Sequence, residues 1–476
     1  MLPAAIVALA VTAATAGVSG AATSAEPPKT AALPWTACVG KGLEGLECTT
    51  LKVPLDYAHP AGRTIDLAIS RKASKDPAKR RGVLLLNPGG PGLAGLIAPN
   101  QIKLSQPVLD TYDVIGFDPR GVGKSTPVTC DLTLEQQADA SNPPYPHNSQ
   151  QVVASAKIAK TIAKQCTTSK TAGLLPYIST ANTARDMDRI REALGAAKVS
   201  YYGVSYGTYL GAVFTTLFPQ RTDRVVLDSS LPPDGYTVGA LRAQGYGFET
   251  RFPDFAQWVT VNAKSLGTTP AAVRAKYFEL AARLDKKPES GIDGTAFRAT
   301  TSGLIRDNAV FPLLASIWVG LDTHTLPDEP AVNTGDNFQA SYLAVICGES
   351  QWPRSVVTYQ ANVAVDRVLA PMYGALAANV RACAYWPSPS APKVKITDAG
   401  PSNVLIMENL RDPATPLRGA RQMKSALGDR ARLVTVDQGG HGVYGAANKC
   451  ANGAVDKFLT TGQRVQRDTF CPAESQ

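Results

Sequence analysis

The chain has 476 residues, of which 44% are hydrophobic and 18% are charged. This composition excludes a wholly disordered protein, and the length suffices for a large core with one inserted domain. The net charge is +9, but the densest basic run, residues 75–81, is too sparse to suggest a nucleic-acid site. We therefore expect no nucleic-acid partner.

The first 25 residues carry no charged side chain and are rich in Ala, Thr and Gly. Small residues cluster before Glu26, a pattern that indicates a secretory signal peptide cut near Ala22 or Ala25. A membrane anchor is the alternative, and we favour it less because little of the segment is strongly apolar. We expect a secreted protein without a stable membrane span after signal removal, with cell-wall or membrane association left open.

Eight cysteines fit an exported protein, because an even count in such a chain indicates disulfide bonds. Many pairings are possible, and we predict that each cysteine pairs with its nearest neighbour. The predicted bonds are Cys38–Cys48, Cys130–Cys166, Cys347–Cys383 and Cys450–Cys471. No Cys-x-x-Cys spacing occurs and histidine is scarce, so we expect no metal site.

Two strand-like runs, residues 51–55 and 64–69, precede strands that alternate with helical patterns at residues 150–165 and 180–194. Asn182 or Thr183 is the expected N-cap of the second helix. Alternation of this kind predicts an α/β protein whose mainly parallel sheet is covered by helices on both faces.

The alternation ends at residues 231–235, and a mostly helical pattern runs on to about residue 392. We therefore expect an inserted domain. The predicted segments are a signal peptide (1–25), an N-terminal extension (26–50), the first part of the core (51–231), a cap domain (232–392) and the second part of the core with a C-terminal tail (393–476).

Residues 203–207 read Gly-Val-Ser-Tyr-Gly, between a β-rich run and an apolar helical stretch. Strand, Gly-x-Ser-x-Gly and helix form the pattern of a nucleophile elbow. The turn is so tight that only glycine fits two residues either side of the serine, whose hydroxyl is pushed out above the sheet. Ser205 is the predicted nucleophile, provided that an acid and a histidine follow it in that order.

The acid and the histidine follow in that order. Of the four histidines, only His441 lies downstream in a glycine-flanked loop near the C-terminus. Asp412 ends a strand-like run just before that loop, where it could hold the imidazole in one tautomer. Asp228, at the end of an earlier strand, is the rival acid, and we favour Asp412.

An oxyanion site is expected at residues 87–92, Asn-Pro-Gly-Gly-Pro-Gly, which follow a central strand. A developing alkoxide needs backbone N–H donors, and the two prolines have none. Gly90 and Tyr206, the residue after the nucleophile, are the predicted donors. Thr415 could hydrogen-bond near the acid or base, or cap a helix.

Five motifs occur in a fixed order along the chain: Asn-Pro-Gly-Gly-Pro-Gly (87–92), Phe-Asp-Pro-Arg-Gly-x-Gly-x-Ser (117–125), Gly-Val-Ser-Tyr-Gly-Thr (203–208), Asp-Pro-Ala-Thr-Pro (412–416) and Gly-Gly-His-Gly (439–442). As a set they resemble the secreted bacterial tripeptidyl aminopeptidases, α/β-hydrolase serine exopeptidases related to the proline iminopeptidases. The resemblance implies an α/β-hydrolase fold with a cap inserted after the sixth strand, and release of short peptides from free N-termini. Proline iminopeptidases typically have His where this chain has Asn87, so removal of single prolines is a weaker expectation.

An exopeptidase of this kind needs an acidic group for the substrate ammonium. Glu349 is the candidate, with Glu249 and Asp254 as alternatives. The predicted function is a secreted serine exopeptidase that acts on peptides with a free N-terminus, without a cofactor, and its oligomeric state is open. A carboxylesterase or lipase with the same triad is the alternative, and a non-catalytic binding protein on a hydrolase fold is a weaker one because all three triad residues are present.

Overall fold

A ten-stranded sheet forms the centre of the part of the chain that the computed structural model describes, residues 33–327, 333, 335–389 and 392–474. The predicted signal peptide, residues 1–25, lies outside the described residues. The strands are β1 (Thr36–Ala37), β2 (Glu47–Pro54), β3 (Thr64–Lys72), β4 (Gly82–Asn87), β5 (Tyr112–Phe117), β6 (Val199–Val204), β7 (Thr222–Asp228), β8 (Val404–Arg411), β9 (Ala431–Gly439) and β10 (Thr469–Cys471).

The strand order in the sheet is β1-β2-β3-β5-β4-β6-β7-β8-β9-β10. The pairs from β5–β4 through β9–β10 are parallel, whereas β1–β2, β2–β3 and β3–β5 are antiparallel. The central strands are almost continuously buried, as strands with both faces covered must be. The prediction of an α/β protein with a mainly parallel sheet is confirmed.

The helices before β7 follow strands of the sheet or lead into them. They are α1 (Ala98–Gln101), α2 (Gln106–Thr111), α3 (Leu134–Ser141), α4 (Ser149–Thr168), α5 (Thr180–Ala193) and α6 (Tyr206–Leu217). The N-cap of α5 is Ser179, whose hydroxyl accepts the Asn182 N–H, so the prediction of Asn182 or Thr183 as N-cap is wrong. Ser179 precedes the first helical residue and can satisfy a free N–H, which a residue inside the helix cannot do.

A helical insert separates β7 from β8, with seven α-helices among its described residues. They are α7 (Val238–Asn262), α8 (Pro270–Lys286), α9 (Gly294–Leu304), α10 (Phe311–Asp322), α11 (Asn337–Glu349), α12 (Val356–Leu369) and α13 (Gly374–Ala378). Two further helices, α14 (Leu417–Leu427) and α15 (Lys449–Thr461), follow β8 and β9. The insert thus comes after the seventh strand when the two-residue β1 is counted.

The insert has its own hydrophobic core, in which aromatic side chains of α7, α8 and α9 surround the buried Trp318 of α10. Helix α4 belongs to both cores. Its Val152, Ala156 and Ala159 pack in the insert core, whereas Ile162 and Cys166 pack in the sheet core. One amphipathic helix outside the insert therefore joins it to the sheet.

All four predicted disulfide bonds are present: Cys38–Cys48, Cys130–Cys166, Cys347–Cys383 and Cys450–Cys471. Three of them join segments of the sheet layer that are close in sequence, and Cys347–Cys383 joins two segments of the insert. A helix long and apolar enough to cross a membrane is not found in the described part of the chain.

Candidate active site

Ser205 lies in the sharp turn between β6 and α6. Its φ of 59° and ψ of −122° are rare for a residue with a side chain. A Cβ on Gly203 would lie 2.5 Å from the Gly207 carbonyl oxygen, and one on Gly207 would lie 2.7 Å from the Asn87 carbonyl oxygen. Only glycine fits at these two positions, as the elbow motif requires.

Asp412 and His441 form a hydrogen-bonded pair beyond the ends of β8 and β9. His441 Nδ1 lies 2.9 Å from Asp412 Oδ2 and 3.2 Å from Oδ1. Burial alone would raise the pKa of Asp412, but the His441 charge and hydrogen bond, with the amides of Thr415 and Ala414, hold that pKa below its ordinary value. An ionised carboxylate at this place can orient the imidazole and stabilise the imidazolium.

Thr415 contacts both members of the pair. Its Oγ1 lies 3.0 Å from Asp412 Oδ2 and 3.3 Å from His441 Nδ1, and its N–H donates to Asp412 Oδ1 at 2.9 Å. Of the two roles expected for Thr415, the contacts are those of a residue that holds the acid and the base.

The loop after β4 lies against the elbow, as expected for an oxyanion site. A Cβ on Gly89 would lie 2.6 Å from the Val204 carbonyl oxygen and 2.9 Å from the Ser205 Cβ. The Gly89 N–H donates to Asn87 Oδ1 at 3.0 Å. Within the described residues, the N–H groups of Gly90 and Tyr206 donate no hydrogen bond, so both are available to a ligand.

Asp228, the rival acid, holds the loop that carries His441. Its carboxylate accepts the N–H groups of Val443 and Tyr444 at 2.8 and 2.9 Å and the Tyr202 hydroxyl at 2.7 Å. Its backbone carbonyl accepts the Ser205 N–H at 3.0 Å. The imidazole of His441 is hydrogen-bonded to Asp412 instead, so Asp228 links the nucleophile segment to the histidine loop.

The same loop is in contact with the insert. The His441 N–H donates to the Arg306 carbonyl oxygen at 2.8 Å. A Cβ on Gly439 would lie 2.1 Å from Arg251 Nη1 and from Asp254 Oδ2. A side chain at residue 439 would therefore displace the ends of the Arg251 and Asp254 side chains of the insert.

Comparison with known proteins places these features in a family. A family model described as a TAP-like protein matches residues 370–471, which include Asp412 and His441. A tripeptidyl aminopeptidase of Streptomyces lividans is 36% identical over 477 residues, covering 95% of this chain and 89% of that protein. The chain belongs to the tripeptidyl aminopeptidase family.

Two further relatives of this chain have different names, one a serine protease and the other a carboxylesterase. The serine protease Hip1 of Mycobacterium tuberculosis is 28% identical over 492 residues, covering 95% of this chain and 94% of that protein. Carboxylesterase B of the same organism is 30% identical over 443 residues, covering 87% of this chain and 84% of that protein. The predictions of an α/β-hydrolase fold and of a serine hydrolase are confirmed by membership of the family.

Glu349, the candidate for the substrate ammonium, is the last residue of α11. Its carboxylate accepts the Thr180 N–H at the start of α5, and it lines a small cavity with Tyr209 and Lys393. Burial raises the pKa of Glu349 to about 6. Among the described residues, no hydrogen bond or ion pair joins Glu349 to Ser205, Asp412 or His441, so its role in substrate binding stays a prediction.

The two alternative carboxylates are engaged in ion pairs. Glu249 accepts from Arg274 Nη1 at 2.8 Å and from the Met372 N–H at 2.8 Å. Asp254 bridges Arg251 and Arg411.

Tyr236 is a neighbour of the elbow that sequence reasoning missed. Its hydroxyl donates to the Gly90 carbonyl oxygen at 3.2 Å. Burial raises the pKa of Tyr236, and the neighbouring Ser205 side chain opposes that rise only in part. No motif marks this residue, which lies in the loop between β7 and α7. Its place beside Ser205 is a consequence of tertiary packing alone.

Proposed function

We propose that this protein is a secreted serine exopeptidase that releases tripeptides from the free N-termini of peptides. The proposal rests on one observation above all: the 2.9 Å contact of His441 Nδ1 with Asp412 Oδ2, in a chain whose strained elbow presents Ser205. Membership of the tripeptidyl aminopeptidase family supports the choice of peptide substrates.

In the proposed mechanism, Ser205 Oγ attacks the carbonyl carbon of the third peptide bond while His441 Nε2 takes the hydroxyl proton. His441 returns that proton to the leaving amine as the C–N bond breaks, which leaves an acyl-enzyme ester. Water, deprotonated by His441, then hydrolyses the ester and releases the tripeptide. Asp412 keeps His441 in the required tautomer throughout.

The negative charge of the tetrahedral intermediate is received by the N–H groups of Gly90 and Tyr206. Both belong to the two segments that meet at Ser205, and both are free of other partners within the described residues. Loss of one donor of this type costs ~10²–10³ in kcat. Such donors need no reorganisation, because the elbow and the glycine loop fix them before the substrate arrives.

Residues 232–392 form the proposed cap, which would limit the length of peptide on the acyl side. Glu349 is the proposed acceptor of the substrate ammonium. The uncharged leader at residues 1–25 and the four disulfide bonds support secretion.

A panel of chromogenic substrates tests the proposal. Free-amine tripeptidyl nitroanilides should be cleaved to release the intact tripeptide. Their N-acetylated forms, and dipeptidyl and tetrapeptidyl nitroanilides, should be cleaved at least about tenfold more slowly, since a tenfold ratio corresponds to only ~1.4 kcal/mol. Equal rates on free and acetylated substrates would contradict an exopeptidase.

A carboxylesterase is the second candidate, because a relative with 30% identity is named Carboxylesterase B. Short nitrophenyl esters in the same panel distinguish the two. An esterase would cleave the esters and leave every peptide nitroanilide intact, whereas the proposed peptidase cleaves both. Loss of both activities in Ser205→Ala would assign them to one site.

A further inference from the structure

The hydroxyl of Tyr236 lies beside the oxyanion loop, at Gly90, and beside the nucleophile Ser205. Its phenol oxygen lies 3.2 Å from the carbonyl oxygen of Gly90, whose N–H is a proposed oxyanion donor. The loop that contains Gly90 lies against Ser205, since a Cβ on Gly89 would be 2.9 Å from the Ser205 Cβ, and the Ser205 side chain is a neighbour of the same phenol. The oxyanion is only a C–O bond away from the carbon that Ser205 Oγ attacks, so a donor beside both Ser205 and Gly90 is within reach of it.

The ring of Tyr236 is held from several sides. It packs edge-on against Tyr342 of α11, with ring centroids 6.2 Å apart, and Tyr342 in turn stacks on Phe338. The Tyr236 carbonyl oxygen accepts the Ser350 hydroxyl at 3.0 Å. Gly235, the preceding residue, lies so close to the Tyr209 ring of α6 that a Cβ would be 2.8 Å away. A donor fixed in this way costs little reorganisation when charge develops.

The phenol of Tyr236 is a donor and not a base. Burial raises its pKa far above neutrality, so the O–H group stays protonated while the enzyme works. Its acceptor is the neutral carbonyl oxygen of Gly90, at a distance longer than the roughly 2.7–2.8 Å of a typical O–H···O bond. An oxyanion is a much stronger acceptor than that carbonyl oxygen.

We propose that the Tyr236 hydroxyl is a third hydrogen-bond donor to the tetrahedral intermediate, beside the N–H groups of Gly90 and Tyr206. The inference rests on the proposed serine mechanism. As Ser205 Oγ bonds to the substrate carbon and its proton moves to His441, the substrate oxygen becomes negative. The Tyr236 O–H then turns from Gly90 to that oxygen and returns when the leaving amine departs.

The test compares Tyr236→Phe with Tyr342→Phe. Both changes keep an aromatic ring and remove one hydroxyl, but the Tyr342 hydroxyl makes no hydrogen bond within the described residues. We expect Tyr236→Phe to lower kcat about 10- to 100-fold, somewhat less than the loss of a backbone donor, with KM changed less than about threefold. Tyr342→Phe should stay within about threefold of wild type in both constants.

A transition-state analogue separates catalysis from packing. A tripeptide aldehyde forms a hemiacetal with Ser205, whereas the product tripeptide makes only ground-state contacts. Tyr236→Phe should weaken the aldehyde by about the same factor as kcat and leave the product tripeptide within about twofold. Rates are divided by the concentration of active enzyme, which is measured by titration with a fluorophosphonate, so a partly unfolded variant does not give a falsely low kcat.

Two outcomes would overturn the inference: a kcat of Tyr236→Phe within about twofold of wild type, or equal weakening of the aldehyde and the product. If the Ser205→Ala variant is inactive, either result leaves the serine mechanism intact and rejects only the proposed role of Tyr236 as an oxyanion donor. Retained peptidase activity in Ser205→Ala would instead remove the proposed function.

Discussion

At the scale of single residues, two buried aspartates near His441 have different structural roles. Asp412 is hydrogen-bonded to the imidazole, whereas Asp228 is hydrogen-bonded to the backbone of the loop that carries it. Both carboxylates are less than 2% exposed, so burial does not distinguish them. The two aspartates differ in the hydrogen-bond partner of the carboxylate, which is the imidazole for Asp412 and backbone N–H groups for Asp228.

The first prediction compares Asp412→Asn with Asp228→Asn. Asp412→Asn should lower kcat by ~10³–10⁴, because an amide at this place no longer fixes the tautomer or stabilises the imidazolium. Asp228→Asn should lower kcat less than ~10²-fold and destabilise the fold by about 1–3 kcal/mol, because one backbone N–H then faces an amide NH₂. Steady-state kinetics and thermal unfolding check both. The reverse ranking of the two kcat losses would make Asp228 the acid.

The second prediction concerns Glu349 and pH. Its pKa of about 6 lies above that of a free glutamate, so the side chain is mostly ionised at pH 7 and becomes neutral as the pH falls below 6. If Glu349 holds the substrate ammonium, KM for a free-amine tripeptide should rise as the pH is lowered through about 6. Glu349→Gln should raise KM at pH 7 and abolish this rise, and it should leave ester hydrolysis unchanged. Equal effects on ester and peptide would remove Glu349 from the substrate site.

The triad candidates could be predicted from the sequence because each lies in a short motif whose local geometry depends on its own residues. Gly203 and Gly207 indicate the tight turn around Ser205, because a side chain at either position would clash with a backbone carbonyl oxygen. Tyr236 could not be predicted, because its contact with Gly90 joins residues 146 positions apart that share no motif. Asp228 is recognisable in the sequence as a possible acid, but its bonds to the N–H groups of Val443 and Tyr444 could not be predicted, because these residues are 215 and 216 positions away.

At the scale of elements, the histidine loop after β9 is one of the places where the insert contacts the sheet layer. Asn409 on β8 donates to the carbonyl oxygens of Gly440 and Gly442, and the Arg306 carbonyl oxygen of the insert accepts the His441 N–H. The position of His441 is therefore set jointly by the sheet and by the insert. A change where the insert contacts this loop should affect catalysis.

The third prediction tests that contact with Gly439→Ala. The added methyl group would overlap the Arg251 guanidinium and the Asp254 carboxylate, so these two side chains must shift and the contact between the insert and the loop is disturbed. We expect a destabilisation of about 1–3 kcal/mol and a lower kcat, measured by thermal unfolding and by tripeptide release. Gly453→Ala is the matched control, because a Cβ at this position in α15 meets nothing within 4 Å. Its helix should gain up to about 1 kcal/mol, with kcat unchanged. Unchanged activity in Gly439→Ala would mean that the insert does not position His441.

The alternation of strands and helices predicted the sheet well, because a buried parallel strand leaves a continuous apolar run in the sequence. The double role of α4 was not predictable. Its sequence shows an apolar stripe but not which layer each part of the stripe contacts, since Val152 and Ile162 are equally apolar.

At the scale of the whole molecule, the four disulfide bonds join residues that are near neighbours in the chain, with separations from 10 to 36 residues. Bonds that close short loops restrain local segments rather than the overall topology. Nearest-neighbour pairing is the simplest hypothesis that the sequence allows, but nothing in the sequence excludes the other connectivities.

The fourth prediction follows from this pairing. The folded protein should react with no iodoacetamide, whereas eight alkylations should appear after reduction and unfolding, as counted by mass spectrometry. Replacing Cys347 and Cys383 together by serine should lower stability by about 2–5 kcal/mol, because both cysteines of this insert bond are buried in the hydrophobic core around the sheet and do not lie at a terminus. Alkylation of the folded protein without reductant would contradict the pairing.

The central claim is that Ser205 is the nucleophile of a tripeptide-releasing exopeptidase. The most direct measurement is mass-spectrometric detection of the tripeptide released from a free-amine peptide, with wild type and Ser205→Ala compared under fluorophosphonate labelling. Wild type should release the tripeptide and carry the label on Ser205, and Ser205→Ala should fold normally, release none and stay unlabelled. Tripeptide release or labelling that persists in Ser205→Ala would contradict the account.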